Sequence, residues 1–278
     1  MIKIDKIAFS YPQKRDVFDS LDLTLSSGNV YGLLGKNGAG KSTLLKLIAG
    51  LLSPAKGNLE VLGFKPKERY PEFLKEIFIV NEEFFLPSSS VREYTMLYHR
   101  FYPRFNETLF DEYLYGFGLD KNHKLSTLSY GQKKNFLLSF GLATDCKVMI
   151  LDEPTNGLDI PSKSQFRKIV ANAINENRTF IISTHQARDM ENLIDPIIIL
   201  DEGQVVFFQD YESISKKLMV SKEKEINGKK NIVYAEPTFG GYTIVRRNDA
   251  REETNINLEI LFNAVIHGRE QINEVFKA

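Results

Sequence analysis

One stretch limits what this chain can fold into: Gly35-Lys36-Asn37-Gly38-Ala39-Gly40-Lys41-Ser42-Thr43. It fits the pattern G-x-x-x-x-G-K-[ST], in which each fixed position has a physical task. Gly35, Gly38 and Gly40 let the backbone take φ > 0 and approach an anion with no Cβ in the way. The N–H groups of such a loop form a concavity of partial positive charge. Lys41 adds a full charge for β- and γ-phosphates, and the Ser42 hydroxyl is suited to Mg2+. The flanks agree. Asn29 to Leu34 reads as a buried strand entering the loop, and Ser42 to Ala49 as a helix leaving it with its N-terminal dipole on the phosphates. Strand, loop and helix together imply a site for a nucleoside triphosphate.

A second apolar run, Lys147 to Leu151, ends in Asp152, Glu153 and Pro154. A strand buried on both faces reads as a continuous apolar run, and ligands lie beyond its carboxyl end. Two acids there are costly unless a cation or a reaction uses them. Asp152 suits the Mg2+ held with Ser42, and Glu153 suits a base for an attacking water. A third run, Thr179 to Ser183, delivers Thr184 and His185 to the same end of the sheet. Leu128-Ser129-Tyr130-Gly131-Gln132 precedes a long apolar-periodic stretch, Phe136 to Ala143. Ser129 is a good N-cap and Gly131 permits close approach, so these residues can present N–H groups to an anion.

The remaining segments frame these motifs. Ile2 to Phe9 and Val17 to Leu25 alternate apolar and polar, predicting an antiparallel pair. Tyr11, between them, leaves two readings open: a flat partner for an adenine ring, or packing at a strand end. Asn58 to Leu62 and Glu76 to Val80 read as strands. From Phe84 to about Leu125 the chain is aromatic-rich with helical spacing, broken at Pro103, which predicts a helical insertion. Asn156 to Asp159 reads as a turn, with Ser162 capping a helix to about Asn175. Ile197 to Leu200 and Gln204 to Phe208 predict a closing hairpin. Lys216 to Lys230 reads as a linker or exposed helix. Ile232 to Tyr234 and Tyr242 to Arg246 flank Gly240-Gly241 as a second hairpin. Leu258, Leu261, Phe262, Val265 and Ile266 form one apolar helical face, expected to dock on the chain's own nucleotide domain.

The 36 basic and 36 acidic residues cancel, so no global field draws the chain to nucleic acid or anionic lipid. The single cysteine, Cys146, excludes an internal disulfide framework and suits a reducing cytosol. No apolar run has membrane-spanning length, and the N-terminus lacks a signal-peptide core, so a soluble intracellular protein is expected.

In their order and spacing these segments resemble the nucleotide-binding subunit of an ATP-binding cassette (ABC) transporter, export-type, over residues 1 to about 208. The loop at 35–43 resembles the family's Walker A. Leu128 to Gln132 resembles its LSGGQ signature, with Tyr130 in place of the first glycine. Val148 to Glu153 resembles Walker B and the catalytic glutamate. Asp159 resembles the D-loop aspartate, His185 the switch histidine and Tyr11 the adenine-stacking aromatic. The family's glutamine after the strand ending at Val80 is absent; Asn81 and Glu82 are the two candidates to replace it.

The resemblance implies an α/β fold. Its parts would be a P-loop NTPase core with a mixed sheet, an antiparallel β subdomain and a helical insertion carrying the signature (about 84–143). A small α+β extension would follow at 209–278. It implies ATP and Mg2+ as cofactors, with Ser129, Tyr130, Gly131 and Gln132 serving ATP bound by a second subunit. It also implies ATP hydrolysis that powers transport through separate membrane permeases, at the cytoplasmic face of the membrane. The alternative is a non-transport cassette ATPase acting on DNA or the ribosome. Such chains usually carry two cassettes or long coiled-coil arms, neither of which is present, and no nucleic-acid partner is expected.

Overall fold

The computed structural model describes residues 1–13, 16–226, 231–249 and 254–277. The chain opens with β1 (Ile2–Ser10) and β2 (Asp16–Leu25), paired antiparallel with Ile2 opposite Leu25. Their alternation turns Ile2, Ile4, Ile7, Leu21, Leu23 and Leu25 inward, as the period-two pattern predicts. β3 (Val30–Leu34) is buried along its whole length and feeds the glycine-rich loop, which α1 (Lys41–Ile48) leaves. β4 (Lys56–Val61) then pairs with the free edge of β1, giving a small sheet of order β2-β1-β4.

The helical insertion follows. α2 (Pro71–Leu74) leads into β5 (Ile77–Val80), and α3 (Val91–Tyr98) starts on a capping box between Ser90 and Glu93. α4 (Glu107–Gly116) begins after the Pro103 break, capped by Asn106, and α5 (Tyr130–Ala143) returns to the core. The aromatics that marked this segment are mostly core. Tyr94, Phe105, Phe110 and Phe136 pack around Phe140 with ring centroids 5.1 to 6.5 Å away. Glu76, at the junction with β5, receives two hydrogen bonds from Arg104 at 3.0 and 2.6 Å. That hydrogen bonding holds its carboxyl below the usual range.

β6 (Val148–Asp152) and α6 (Ile160–Ala173) come next, then β7 (Thr179–Thr184), α7 (Ala187–Met190), β8 (Ile197–Asp201) and β9 (Gln204–Gln209). The main sheet has order β5-β6-β7-β3-β8-β9, parallel except for the β8–β9 hairpin. It is covered on both faces, which explains its continuous apolar runs. Val148 and Ile150 join the cluster under α1 and the small sheet, while Met149 and Leu151 join the one under α5 and α6. The cap of α6 is Asp159, not Ser162: the Ser162 N–H donates to Asp159 Oδ1 at 2.9 Å. The turn therefore ends three residues earlier than the serine suggested, because Asp is an equally strong cap and precedes Pro161.

The chain continues with α8 (Tyr211–Lys217), β10 (Leu218–Glu223), β11 (Ile232–Thr238), β12 (Gly241–Arg247), α9 (Leu258–His267) and α10 (Arg269–Lys277). The segment expected as a linker or exposed helix instead supplies a strand: β10 pairs with β12 from Leu218–Arg247 to Glu223–Tyr242. Its charged residues sit on an edge, where only Leu218 needs full burial. Residues 227–230 of that segment lie outside the described ones. The expected hairpin is β11–β12. The α9 stripe docks on the same chain: Leu258, Leu261 and Val265 share one cluster with Met190, Ile194, Ile197 and Phe207. α10, not anticipated, adds Ile272 and Val275, and its Phe276 meets Phe207 edge-on at 5.2 Å.

Among the described residues no helix is long and apolar enough to cross a membrane. Cys146 is buried just before β6, and burial pushes its thiol up to about 12.

Candidate active site

The loop between β3 and α1 needs its glycines for two different reasons. Gly38 and Gly40 take φ of 84° and 106°, the left-handed region that side chains resist. Gly35 does not, contrary to the expectation of φ > 0 at all three. A Cβ on Gly35 would instead lie 2.5 Å from the Leu200 carbonyl oxygen, so glycine there lets the loop pass under β8. Lys41 opens α1 and is buried; its Nζ donates to the carbonyls of Gly35 (2.7 Å) and Lys36 (3.3 Å). Burial pushes its pKa down, while Glu153, Asp152 and Glu82 pull it back up. Lys36, Asn37 and Ala39 complete the loop, and Ser42 and Thr43 lie in the first turn of α1. The helix start and the lysine together make an electropositive recess for phosphate.

β6 and β7 deliver the remaining groups to one point. Their parallel register sets Asp152 beside Ser183. The Ser183 hydroxyl donates to Asp152 Oδ1 and accepts from the Glu153 N–H at 3.1 Å. Glu153 sits at φ 47°, an unusual conformation for a residue with a side chain. Its carboxylate is 2.9 Å from His185 Nδ1 and 3.8 Å from Lys41 Nζ. Glu153, His185 and Lys41 thus converge, though they follow three different strands, β6, β7 and β3.

A cation fits this recess if it arrives with phosphate. Mg2+ binds through few protein oxygens together with phosphates, and among the described residues no three of His, Cys, Asp and Glu form a metal cage. The Asn81 Oδ1 atom is buried with no hydrogen-bond partner among the described residues, so it is an oxygen without a donor. Glu82 is already engaged, accepting from Asn156 Nδ2 at 2.8 Å. Of the two candidates at this loop, Asn81 fits a metal or its water better.

The other residues singled out fall into two groups. Tyr11 lies at the loop: its hydroxyl is 3.2 Å from Thr43 Oγ1 and its ring meets Phe9 edge-on. The signature is apart. Among the described residues no hydrogen bond, ion pair or ring contact joins Ser129, Tyr130, Gly131 or Gln132 to residues 35–43. Ser129 and Gln132 form a capping box at the start of α5. Tyr130 turns its ring aside, stacks on Phe84 at 5.2 Å and donates its hydroxyl proton to the Glu82 carbonyl. Asp159 is exposed and caps α6.

Three features escaped the sequence reading. Ser183 is a hydroxyl inside an apolar strand, and that interruption was the available signal. Lys134 is a buried cation in α5, donating to the carbonyls of Glu153 (2.7 Å) and Asn156 (3.2 Å). A lysine four residues after Tyr130, next to an apolar run, was its signal. The third is a cavity of about 560 Å³ beside the loop, whose walls include Lys36, Asn37, His185, Arg188, Glu259 and Phe262. The extension therefore borders the site through α9.

The family described as ABC transporter matches residues 18–156. An uncharacterized ABC transporter ATP-binding protein of Methanocaldococcus jannaschii is 30% identical over 268 residues, 94% of this chain and 97% of that protein. The bacitracin transport ATP-binding protein BcrA of Bacillus licheniformis is 29% identical over 221 residues, 78% of this chain and 72% of its own length. A dimeric ATP-binding cassette solved in a post-hydrolysis state with ADP and Pi superimposes with a TM-score of 0.66. It covers 76% of this chain and 98% of that one at 23% identity. With a relative matched through almost its whole length, extension included, the chain belongs to the ABC transporter family as an ATP-binding ATPase subunit.

Proposed function

We propose that this chain hydrolyses ATP with Glu153 as general base, and that two copies do so together to drive separate membrane subunits of an exporter. The observation that carries the reading is the Glu153 carboxylate held between His185 Nδ1 and Lys41 Nζ at the end of β6. ATP enters with its phosphates on the N–H groups of Gly38 to Ser42 and its adenine against Tyr11. Lys41 leaves the Gly35 and Lys36 carbonyls for the β- and γ-phosphate oxygens. Glu153 accepts a proton from the attacking water, and His185 orients Glu153 through Nδ1. Mg2+, held by Ser42 and Asp152 with Asn81 nearby, would supply charge neutralisation on the phosphates. Positioning and charge stabilisation provide most of the acceleration in phosphoryl transfer.

The second copy enters because, among the described residues, no hydrogen bond or ion pair joins Ser129, Gly131 or Gln132 to their own loop. They serve the γ-phosphate of a partner's ATP, with Asp159 at the same interface. That reading is in keeping with the relative solved as a dimer. The membrane subunit meets a cavity of about 720 Å³ between the insertion and the core, bordered by Leu51, Arg69, Glu72, Tyr98, Arg100 and Phe101. Phe101 and nearby Leu97 are about two-thirds exposed, which suits an apolar segment flanked by acidic residues. Such docking would hold the chain at the cytoplasmic face of the membrane. The cassette proper is residues 1–208, with the helical subdomain at about 84–143, and 209–278 is an extension packed upon it.

Glu153→Gln tests the base. It should bind ATP with parental affinity, lose turnover by about a thousandfold or more, and trap an ATP-bound dimer in size-exclusion chromatography. Parental steady-state hydrolysis by this variant would remove Glu153 from the role.

A further inference from the structure

Glu153 holds φ 47°, in the left-handed region that few side-chain-bearing residues adopt. A left-handed non-glycine residue is strained and persists where its surroundings over-determine it. At Glu153 the N–H side is fixed by the Ser183 carbonyl and hydroxyl, at 3.2 and 3.1 Å. The carbonyl side is fixed by the Asn156 N–H at 3.2 Å and by the Lys134 ammonium at 2.7 Å. Lys134 also holds the Asn156 carbonyl at 3.2 Å. Both ends of the turn therefore hang on one side chain.

Lys134 is 2% exposed, and among the described residues it forms no ion pair. A buried ammonium is expensive unless its donors are used, and two of its three N–H groups go to backbone oxygens. Its charge lies 5.3 Å from the Tyr130 ring, one helical turn earlier on α5. Tyr130 in turn donates to the Glu82 carbonyl, and Glu82 accepts from Asn156 Nδ2. Lys134, Tyr130, Glu82 and Asn156 thus close a ring of contacts. It joins the signature helix, the loop after β5 and the turn carrying Glu153.

We propose that Lys134 is a positioning residue for hydrolysis: its buried ammonium fixes the left-handed turn that aims the Glu153 carboxylate, and ties that turn to the signature helix. This rests on Glu153 being the base. Lys134 does not touch nucleotide or the attacking water. Its removal would let the Glu153 peptide relax, turning the carboxylate away from His185 while leaving the glycine-rich loop and Lys41 as they are.

The test uses the full chain with Mg2+ and ATP. Lys134→Met keeps the apolar stem and removes the donors. It should lower kcat by about a hundredfold, the effect of misplacing a reacting group by about an ångström, with the ATP dissociation constant within about twofold of the parent. Added to Glu153→Gln it should cost no more than a further twofold or so, because two residues acting on one step do not add. Lys134→Gln, a neutral donor one atom shorter, should recover about tenfold in kcat. Three results would overturn the proposal: kcat within about threefold of parent in Lys134→Met, parallel loss of ATP affinity, or an undiminished hundredfold loss on top of Glu153→Gln. If Lys134→Met is recovered unfolded, Lys134→Gln decides alone, and parental kcat in it overturns the proposal. Full turnover by Glu153→Gln overturns the base reading itself, a result distinct from failure at Lys134.

Discussion

The ATP site and the C-terminal extension bury opposite kinds of residue. Every fully buried charge among the described residues lies in the cassette: Lys41, Glu76, Lys134, Asp152, Glu153 and Arg178. Glu153 adds a left-handed backbone. Four of those charges, Lys41, Lys134, Asp152 and Glu153, gather at the glycine-rich loop and the end of β6, while Glu76 and Arg178 are paired away from it, with Arg104 and with backbone carbonyls. The extension buries Leu258, Leu261, Val265 and Ile272 on its two last helices, and its buried polar groups, Ser215, Thr243 and Asn248, are neutral. It adds apolar burial to the same core. The division of labour this teaches is between chemistry and stability, and each half of it can be attacked.

The largest effect should come from Lys41→Ala. It deletes the charge proposed to face the β- and γ-phosphates, and ATP affinity should fall by about 4 kcal/mol, roughly a thousandfold, read by calorimetric titration. Thermal stability should hardly change, since the variant also relieves a buried cation. A large loss of stability with little loss of affinity would reverse the assignment of this region. Next is Leu261→Ala in the extension, expected to cost about 3 kcal/mol in denaturant unfolding through the cavity it leaves. The ATP affinity of the folded protein should be unchanged; a coupled fall would mean that the two regions are not separable.

Glu76→Gln sharpens the comparison by asking where cassette charges serve structure alone. Arg104 holds the folded carboxyl below its ordinary value, so the folded state favours the ionised form. The stabilisation is full above the unfolded pKa, about 4.3, and is lost as pH falls through the lower folded value. At pH 7 the variant should cost about 1 kcal/mol, because Arg104 is two-fifths exposed and screened by water. Below about pH 4 the gap to the parent should close, and a gap that widens there would contradict the sign. The smallest effect is expected from Phe262→Ala, which trims the α9 wall of the cavity beside Lys36 and His185. Turnover should stay within about twofold, since no transition-state contact is removed. A tenfold change would break the comparison outright by making the extension part of the site.

Legibility in the sequence follows the same division. The meeting of Lys41 with Asp152 and Glu153 was readable because phosphate and metal chemistry leave few residue types that can serve, at fixed spacing, and so flag those positions together. The main-sheet strands were readable because burial on both faces leaves uninterrupted apolar runs. β10 was not, since an edge strand needs one buried side chain and tolerates Ser221, Lys222 and Glu223. α10 was missed because its apolar residues, Ile272, Val275 and Phe276, are few among charges. Asp159 and Ser162 are both good caps, and only the backbone decides between them. Lys134 was hidden for another reason: its partners are carbonyl oxygens, which every residue has, so no partner type in the sequence betrays it.

The sealed thiol of Cys146 has a practical consequence. At neutral pH it stays protonated and shielded, its sulfur 2.9 Å from the Thr144 hydroxyl. The natural chain is thus already a quiet background for thiol-directed labelling. A cysteine introduced at Ile160, 84% exposed beside Asp159, would be the reactive one, and a spin label there would report how far apart two copies stand through a catalytic cycle.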